Sequence, residues 1–187
     1  MTARVRLPLH SDRLILRDYR EQDWERVHLY GGLPEFSRFE AWGPNKIEDT
    51  KKFIADRVRQ ALFSPRSQYE LAVCLKDSDL LIGGSGLRRE TQDSHVASLG
   101  WAINPQFQNQ GYASEAARRL IRFGFEELKL KVIYATCDTR NVASFKVMEK
   151  VGMTSVGFIK GHMEVKGYLR DTYRYEITQS EFSKSGP

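Results

Sequence analysis

The sequence predicts an α/β fold, of the α+β type, in which a mixed central sheet of about seven strands carries helices on both faces. Two observations lead to this fold class. Segments with alternating apolar residues are joined by short turns early in the chain, which favours an antiparallel meander. Later, a strand, an amphipathic helix over 112–128 and another strand follow one another, which favours parallel pairing.

The first half of the chain contributes strands and two helices. The predicted elements are, in order, a strand at 13–19, helices at 23–30 and 48–63, and strands at 69–76 and 80–87. The longer helix is indicated by an apolar stripe of Phe53, Ile54 and Val58. The two strands flank Asp77-Ser78-Asp79, a composition typical of a hairpin turn.

The second half continues with a strand ending at Ile103, a helix at 112–128, a strand at 132–137, a helix at 142–151, and closing strands near 154–161 and 171–177. The helix over 112–128 repeats apolar residues such as Ala116, Leu120 and Ile121 at spacings of three and four. We expect one domain over 1–187, with its core at about 11–178 and a flexible tail over 180–187.

Composition narrows the class of protein. The chain has 187 residues, a net charge of +5 and no long apolar run, so we expect no signal peptide, no transmembrane segment and no membrane partner. Cys74 and Cys137 lie in strand-like segments, which favours buried free thiols in the cytoplasm. The four histidines lack metal-ligand spacing, so no metal is expected. Basic residues are scattered among acids, so direct nucleic-acid binding is not expected either. The sequence leaves open a monomer or a homodimer.

The most informative segment is Gln108-Asn109-Gln110-Gly111-Tyr112-Ala113, which lies between a strand and the start of an amphipathic helix. Helix N-termini present unpaired N–H groups and positive potential, and a glycine lets the backbone approach an anion closely. The segment therefore predicts a phosphate-binding loop. An ordinary strand-to-helix turn is the alternative interpretation.

A second motif follows one strand later. Asn141-Val142-Ala143-Ser144 precedes a helical run that Gly152-Met153 ends. Together, the patterns Gln-x-x-Gly-x-Ala and Asn-x-x-Ser-(x7)-Gly-Met resemble the two signature segments of the Gcn5-related N-acetyltransferases (GNAT). The start, Asp12-Arg13-Leu14-Ile15-Leu16-Arg17, resembles the RimJ/RimL-type branch of ribosomal-protein N-terminal acetyltransferases.

The resemblance implies acetyl-CoA as co-substrate and a splay between the fourth and fifth predicted strands, those ending at Ile103 and starting at Val132. Gly100 would suit a bulge that opens this splay, or merely close packing. By motif, the implied cofactor-binding residues are Gln108, Asn109, Gln110, Gly111, Tyr112, Ala113, Ser114 and Asn141, with backbone groups of Ala102 and Ile103 pairing with the pantetheine arm. A backbone N–H near 101–103 would meet the oxyanion.

The catalytic residues are less clearly marked. Ser98 and Met148 stand where many members carry a Glu and a Tyr. Ser144 is the nearest hydroxyl that could act as acid, or it makes a helix-start hydrogen bond. Candidate bases are Glu40, Glu70, His95 and Glu164, of which Glu164 is favoured by analogy; each could equally be a solvated surface group.

Aromatic residues mark the expected acceptor side. Phe36, Phe39, Trp42 and Tyr168 lie in irregular segments or turns, where they would line the acceptor site or pack in the core. Without a dedicated base, a low-pKa amine is favoured: at pH 7 about 14% of an α-amine is neutral but only about 0.04% of a lysine, a difference of about 3.5 kcal/mol.

The predicted function is therefore acetyl transfer to a primary amine by direct attack, with a ribosomal or other protein N-terminal α-amine as acceptor. The alternatives are a small-molecule amine such as an antibiotic or polyamine, and a non-catalytic CoA-binding module motivated by the missing Glu and Tyr. An RNA-associated protein is a third class, but no segment interleaves aromatic and basic residues.

Overall fold

The structure, a computed structural model, describes residues 6–184. The strands of this part are β1 Leu9–His10, β2 Leu14–Arg17, β3 Gln68–Leu75, β4 Leu81–Arg89, β5 Val96–Ile103, β6 Val132–Asp138, β7 Thr154–Val165 and β8 Tyr168–Thr178. The helices are α1 Asp23–Gly31, α2 Ile47–Ala61, α3 Tyr112–Glu126, α4 Val142–Lys150 and α5 Gln179–Lys184. Every strand and helix predicted from the sequence is present, with ends shifted by a few residues.

All eight strands form one sheet in the order β1-β2-β3-β4-β5-β6-β8-β7. Neighbours from β1 to β5 are antiparallel, β5 and β6 are parallel, and β6, β8 and β7 are antiparallel again. The predicted mixed sheet is confirmed. The eighth strand is β1, whose two residues pair with Ile15 and Leu16; a segment this short has no readable alternation in the sequence.

Helices cover both faces of the sheet, because successive side chains of a strand point to opposite sides. On one face Ala116, Leu120 and Phe123 of α3 pack in the core that contains Leu71 of β3. On the other face Val27 of α1 and Ile54 of α2 pack against Ala72, the next residue of β3. None of the helices within residues 6–184 is long and apolar enough to cross a membrane.

The C-terminal segment differs from the predicted flexible tail. Gln179–Lys184 form α5, and the ring of Phe182 packs on that of Phe125 with centroids 5.3 Å apart. The polar composition of the tail suggested fraying, but one aromatic contact with α3 gives the helix a place on the core. Residues 185–187 lie outside the described residues.

The closing hairpin is longer than predicted. Its strands meet at a two-residue turn, Lys166-Gly167, whose φ angles are 52° and 84°. Positive φ at both positions is the geometry of a type I′ hairpin turn, which matches the twist of the strands. The hairpin therefore extends past the sheet edge toward the segment between α1 and α2.

Candidate active site

A gap opens in the sheet between β5 and β6. Their parallel pairing covers Val96–Ser98 and Val132–Tyr134 and stops there, after which β6 pairs with β8 alone. The predicted splay between these strands is confirmed. A cleft of about 860 Å³ includes this gap, and both strands contribute to its wall.

The backbone of β5 presents its polar groups to this gap. Asn104 N–H donates to Ile82 O of β4 at 2.8 Å. Because backbone groups alternate in direction along an antiparallel strand, the N–H and C=O of Ala102 point toward β4, and those of Trp101 and Ile103 point toward the gap. Ile103 C=O accepts a hydrogen bond from Gln108 Nε2 at 2.9 Å. Of the predicted pair Ala102 and Ile103, only Ile103 is placed to offer backbone groups to the gap, and Trp101 joins it.

The bulge suggested for Gly100 is absent. The register between β4 and β5 is continuous from Gly83↔Ile103 to Arg89↔Ala97. A Cβ at Gly100 would lie 3.1 Å from Arg88 Nη1, so the close-packing alternative holds. β6 pairs with β8 along its whole length but with β5 only as far as Tyr134, so the gap opens without a bulge in β5.

The loop after β5 leads into the N-terminus of α3. Asn104 Oδ1 accepts from Gln106 N–H at 3.1 Å and starts a single 3₁₀ turn. Gly111 has φ 83° and ψ 1° directly before the helix, a left-handed conformation that favours glycine. The N–H groups of Tyr112, Ala113 and Ser114 have no acceptor within the helix, since they belong to its first turn. The loop and helix start match the sequence prediction.

Arg13 is a residue at this loop that sequence reasoning did not assign to the site. Its guanidinium pairs with Glu115 at 2.7 Å, donates to Gln110 O at 3.1 Å and lies 4.4 Å from the centroid of the Tyr112 ring. It therefore places positive charge beside the helix N-terminus. Arg13 is about a hundred residues from the loop in sequence, so no local pattern could reveal the contact.

On the other side of the gap, α4 contributes Asn141 and Ser144. Asn141 caps the helix, because its Oδ1 accepts from Ser144 N–H at 3.2 Å. Both side chains line the cleft together with Met148, which is 1% exposed. The structure thus brings Ser144 to the cleft, while its role as an acid stays a prediction.

The segment between α1 and α2 and the β7–β8 hairpin border the part of the cleft where the sequence predicts the acceptor side. Phe39 and Trp42 line the cleft, as predicted. Phe36 instead packs between Tyr30 and Trp42, with centroids at 4.7 and 5.5 Å. Tyr168 is not part of the cleft wall formed by the described residues; its hydroxyl donates to Asp138 Oδ2 at 3.4 Å.

The chain is similar in sequence to known acetyltransferases. A family model described as "Acetyltransferase (GNAT) domain" matches residues 13–154. The uncharacterized N-acetyltransferase YnaD of Bacillus subtilis is 33% identical over 173 residues, which are 92% of this chain and 98% of YnaD. The chain belongs to the GNAT family of N-acetyltransferases.

Solved structures extend the likeness. A GNAT-family acetyltransferase from Bacillus anthracis superposes on this N-acetyltransferase with a TM-score of 0.84 at 31% identity, covering 93% of this chain and 99% of the other. A spermidine N-acetyltransferase from Vibrio cholerae, solved with CoA and spermine, has the same fold with a TM-score of 0.78 at 19% identity, covering 92% and 99%.

The candidate bases of the N-acetyltransferase separate into two groups. Glu40 and Glu70 line the cleft, whereas Glu164 and His95 do not. Glu164 is exposed on β7 and its neighbour Met163 faces the cleft instead. His95 lies where β5 and β6 are still together, with Nδ1 3.2 Å from Lys129 O. The favoured candidate, Glu164, is thus placed away from the site.

The two candidate bases that line the cleft, Glu40 and Glu70, differ in environment. Burial raises the pKa of Glu40, against the opposing effect of Arg170 and Arg88. Glu70 forms an ion pair with Arg88, whose Nη2 donates to Oε2 at 3.0 Å. The Glu70 carboxyl group lies directly over Gly86, where a Cβ would be only 2.6 Å from it. Gly86 is therefore needed for the close approach.

Further polar wall residues were not found from the sequence. Asp138 ends β6 with its side chain almost fully buried and accepts three hydrogen bonds from Arg140. These bonds hold the pKa of Asp138 below the ordinary carboxyl value. His162, Arg170 and Arg174 line the same end of the cleft from β7 and β8. Strand alternation predicts their faces only once the hairpin register is known.

Cys137 lines the cleft but is no nucleophile. Both cysteines are free and buried, as predicted. Burial raises the pKa of Cys137 to about 11 and that of Cys74 to about 12. Since the thiolate is the reactive form, Cys137 stays unreactive near neutral pH.

Proposed function

We propose that this N-acetyltransferase transfers the acetyl group of acetyl-CoA to a protein N-terminal α-amine, in the manner of the RimJ/RimL-type branch, and that it works in the cytoplasm. The observation that carries the proposal is the gap between β5 and β6. It connects an anion-binding loop on the α3 side with a polar cleft on the α1–α2 side.

The residues around the gap fit acetyl-CoA. Gly111 leaves the helix N-terminus open, and the first N–H groups of α3 would hold the pyrophosphate with Arg13 beside them. Trp101 and Ile103 would offer backbone groups to the pantetheine arm, and Asn141 would contact it from α4. The co-substrate supplies a thioester carbonyl that a neutral amine can attack.

Direct transfer is favoured over an acyl-enzyme. The cysteine in the wall is held as a thiol by burial, so it would not take the acetyl group. A thiol leaving group has a pKa of about 8.5 and departs as thiolate with little help. The Ser144 hydroxyl at the cleft wall could donate a proton to it, a role that can be tested by Ser144→Ala.

Charge in the wall bears on the acceptor. Asp56, Glu70 and Asp138 of the wall are paired with Arg59, Arg88 and Arg140, whereas Glu40, Asp49 and Arg170 form no ion pair within residues 6–184. Arg170 can bind the carbonyl groups that a peptide N-terminus brings with its amine, which supports a peptide acceptor. The unpaired carboxylates of Glu40 and Asp49 could hold further amines, so a polyamine, as bound in the Vibrio cholerae structure, is the second candidate.

The test is release of CoA thiol over a panel of N-terminal peptides, lysine peptides, spermidine and small amines. We expect turnover with α-amine peptides and little with lysine side chains. Turnover with spermidine or small amines alone would mean that the protein is an acetyltransferase whose acceptor is a small amine and not a peptide. Binding of acetyl-CoA by calorimetry without turnover on any amine would favour a non-catalytic CoA-binding module.

A further inference from the structure

We propose that His162 accepts the proton of the attacking amine in this enzyme. The inference rests on the proposed acetyl transfer and adds the base that the sequence motifs do not supply. The proposal is based on a distortion of β7, a strand that contributes no residue to the proposed cofactor site.

The distortion is a large bulge. Ile159 of β7 pairs with Thr172 and Met163 with Arg170, so three residues of β7 lie opposite Asp171 alone. Gly161, inside the bulge, has φ 56°, and its N–H donates to Asp171 Oδ1 at 2.8 Å. Bulges of this kind re-aim side chains and are frequent beside active sites. Here the bulge delivers His162 to the cleft wall.

The ring of His162 is oriented by a buried hydroxyl. His162 Nδ1 lies 3.2 Å from Thr172 Oγ1, and Thr172 is 0% exposed. Arg170 Nε donates to the same oxygen at 3.2 Å. A hydroxyl has two acceptor lone pairs, so it can accept from both Arg170 and an Nδ1–H. That tautomer leaves the lone pair of Nε2 available to the cleft.

The other titratable groups at this end are less suited to the task. Asp138 on β6 is bound by Arg140, and Glu70 on β3 is bound by Arg88. Burial raises the pKa of Glu40, and the positive charges of Arg170, Arg88 and Lys166 oppose that rise. Arg174 on β8 is paired with Glu176, the Asp171 carboxylate accepts from Gly161 N–H inside the bulge, and Lys166 in the hairpin turn donates to Ser37 O. Imidazole is the side chain that exchanges protons between pH 5 and 8, which matches an α-amine.

The step balances as follows. The amine nitrogen forms a bond to the thioester carbonyl carbon, and the bond from that carbon to sulfur breaks. Before this attack, His162 Nε2 takes one proton from the bound α-ammonium and leaves the neutral amine. The second proton, which the nitrogen loses on attack, passes to the departing CoA thiolate through the Ser144 hydroxyl or a water, so that Ser144 ends as it began. His162 returns its proton to solvent once the acetylated product has left.

The experiment compares His162→Gln with wild type and with His95→Gln, which removes a histidine outside the cleft. Turnover of an α-amine peptide is measured from pH 6 to 9, together with acetyl-CoA affinity. At pH 7 we expect kcat/KM of His162→Gln to fall about 10²-fold with acetyl-CoA affinity unchanged. The loss should shrink above the α-amine pKa of about 7.8, since the amine is then already neutral. His95→Gln should match wild type.

Thr172→Val tests the positioning role of the hydroxyl. We expect Thr172→Val to lose less kcat/KM than His162→Gln, with a changed pH profile, and to cause no further loss when it is added to His162→Gln. Full activity of His162→Gln, or a loss that is the same at every pH, would overturn the proposal for His162. Wild-type protein inactive on every amine would instead overturn the proposed function.

Discussion

The two sides of the gap are built by different means. The cofactor half (residues 96–150) offers backbone groups from one continuous stretch, in which strand, loop and helix N-terminus follow one another. The acceptor half (segment 32–46 with the β7–β8 hairpin) offers side chains from segments far apart in sequence. Lys166 Nζ, for example, donates to Ser37 O at 2.6 Å and to Ser37 Oγ at 3.2 Å, across 129 positions.

This contrast explains where specificity can vary. Backbone groups are the same for every residue type, so the cofactor half can hold one co-substrate with few sequence constraints beyond glycine and small residues. The acceptor half depends on side chains held by ion pairs and hydrogen bonds. Changing the acceptor therefore requires exchanging side chains, while the cofactor half can stay as it is.

The largest expected effect is on the anchor of α1, the helix that leads into segment 32–46. Asp23 accepts from buried Arg17 at 2.8 and 3.1 Å. Asp23→Ala leaves Arg17 with the partly exposed Asp79 carboxylate and the Asp18 carbonyl. We therefore expect a loss of about 3 kcal/mol in the free energy of unfolding. Urea unfolding checks this against Asp56→Ala, which removes an exposed pair with Arg59 and should change stability by less than about 0.5 kcal/mol. Equal effects of the two variants would contradict it.

A matched pair of glycines separates the two halves. Gly111 and Gly167 have φ of 83° and 84°, so alanine at either position costs a similar roughly 1–2 kcal/mol of backbone strain. Gly111→Ala should weaken acetyl-CoA binding about tenfold, because the strain falls on the anion-binding loop. Gly167→Ala should leave that affinity unchanged and raise KM for the peptide. Calorimetry measures the affinity for acetyl-CoA, and steady-state kinetics measure KM for the peptide. The separation of the two halves is contradicted if both variants weaken binding of the same substrate.

The smallest effect concerns the contact that joins the hairpin to segment 32–46. Lys166→Met keeps the aliphatic stem and removes the ammonium that binds Ser37. We expect KM for the acceptor peptide to rise about threefold, as for loss of one net hydrogen bond, with acetyl-CoA affinity unchanged. Lys131→Met, at an exposed lysine directly before β6, serves as the control. A loss of acetyl-CoA affinity in Lys166→Met would show that the halves are coupled.

Prediction from the sequence succeeded where the signal is local. The strand ending at Ile103, the loop, Gly111 and the start of α3 lie within twenty residues, so periodicity and glycine placement were enough to locate them. The cap at Asn141 is equally local. Sequence patterns did not reveal the β1 pairing or the α5 contact of Phe182, and they left open whether Gly100 forms a bulge or packs closely, because each depends on a partner strand or helix elsewhere in the chain.

The candidate base shows the same limit. Glu164 and His162 lie two positions apart, and a regular strand would place both on the same face. The bulge at 160–162 breaks that phase, so that His162 lines the cleft and Glu164 does not, although both side chains are exposed. The register of β7 is fixed by its pairing with β8, including the bond between Gly161 and Asp171, and this information is not contained in either strand alone.

The sequence by itself determined the fold class, the order of elements and the position of the glycine-containing loop before α3, because backbone conformation and apolar periodicity are set by neighbouring residues. Only the tertiary structure decided how wide the gap opens, which of Ala102, Trp101 and Ile103 face it, and which side chains form the acceptor wall. Those depend on strand register and on ion pairs between distant segments, where a shift of one residue reverses the face that a side chain occupies.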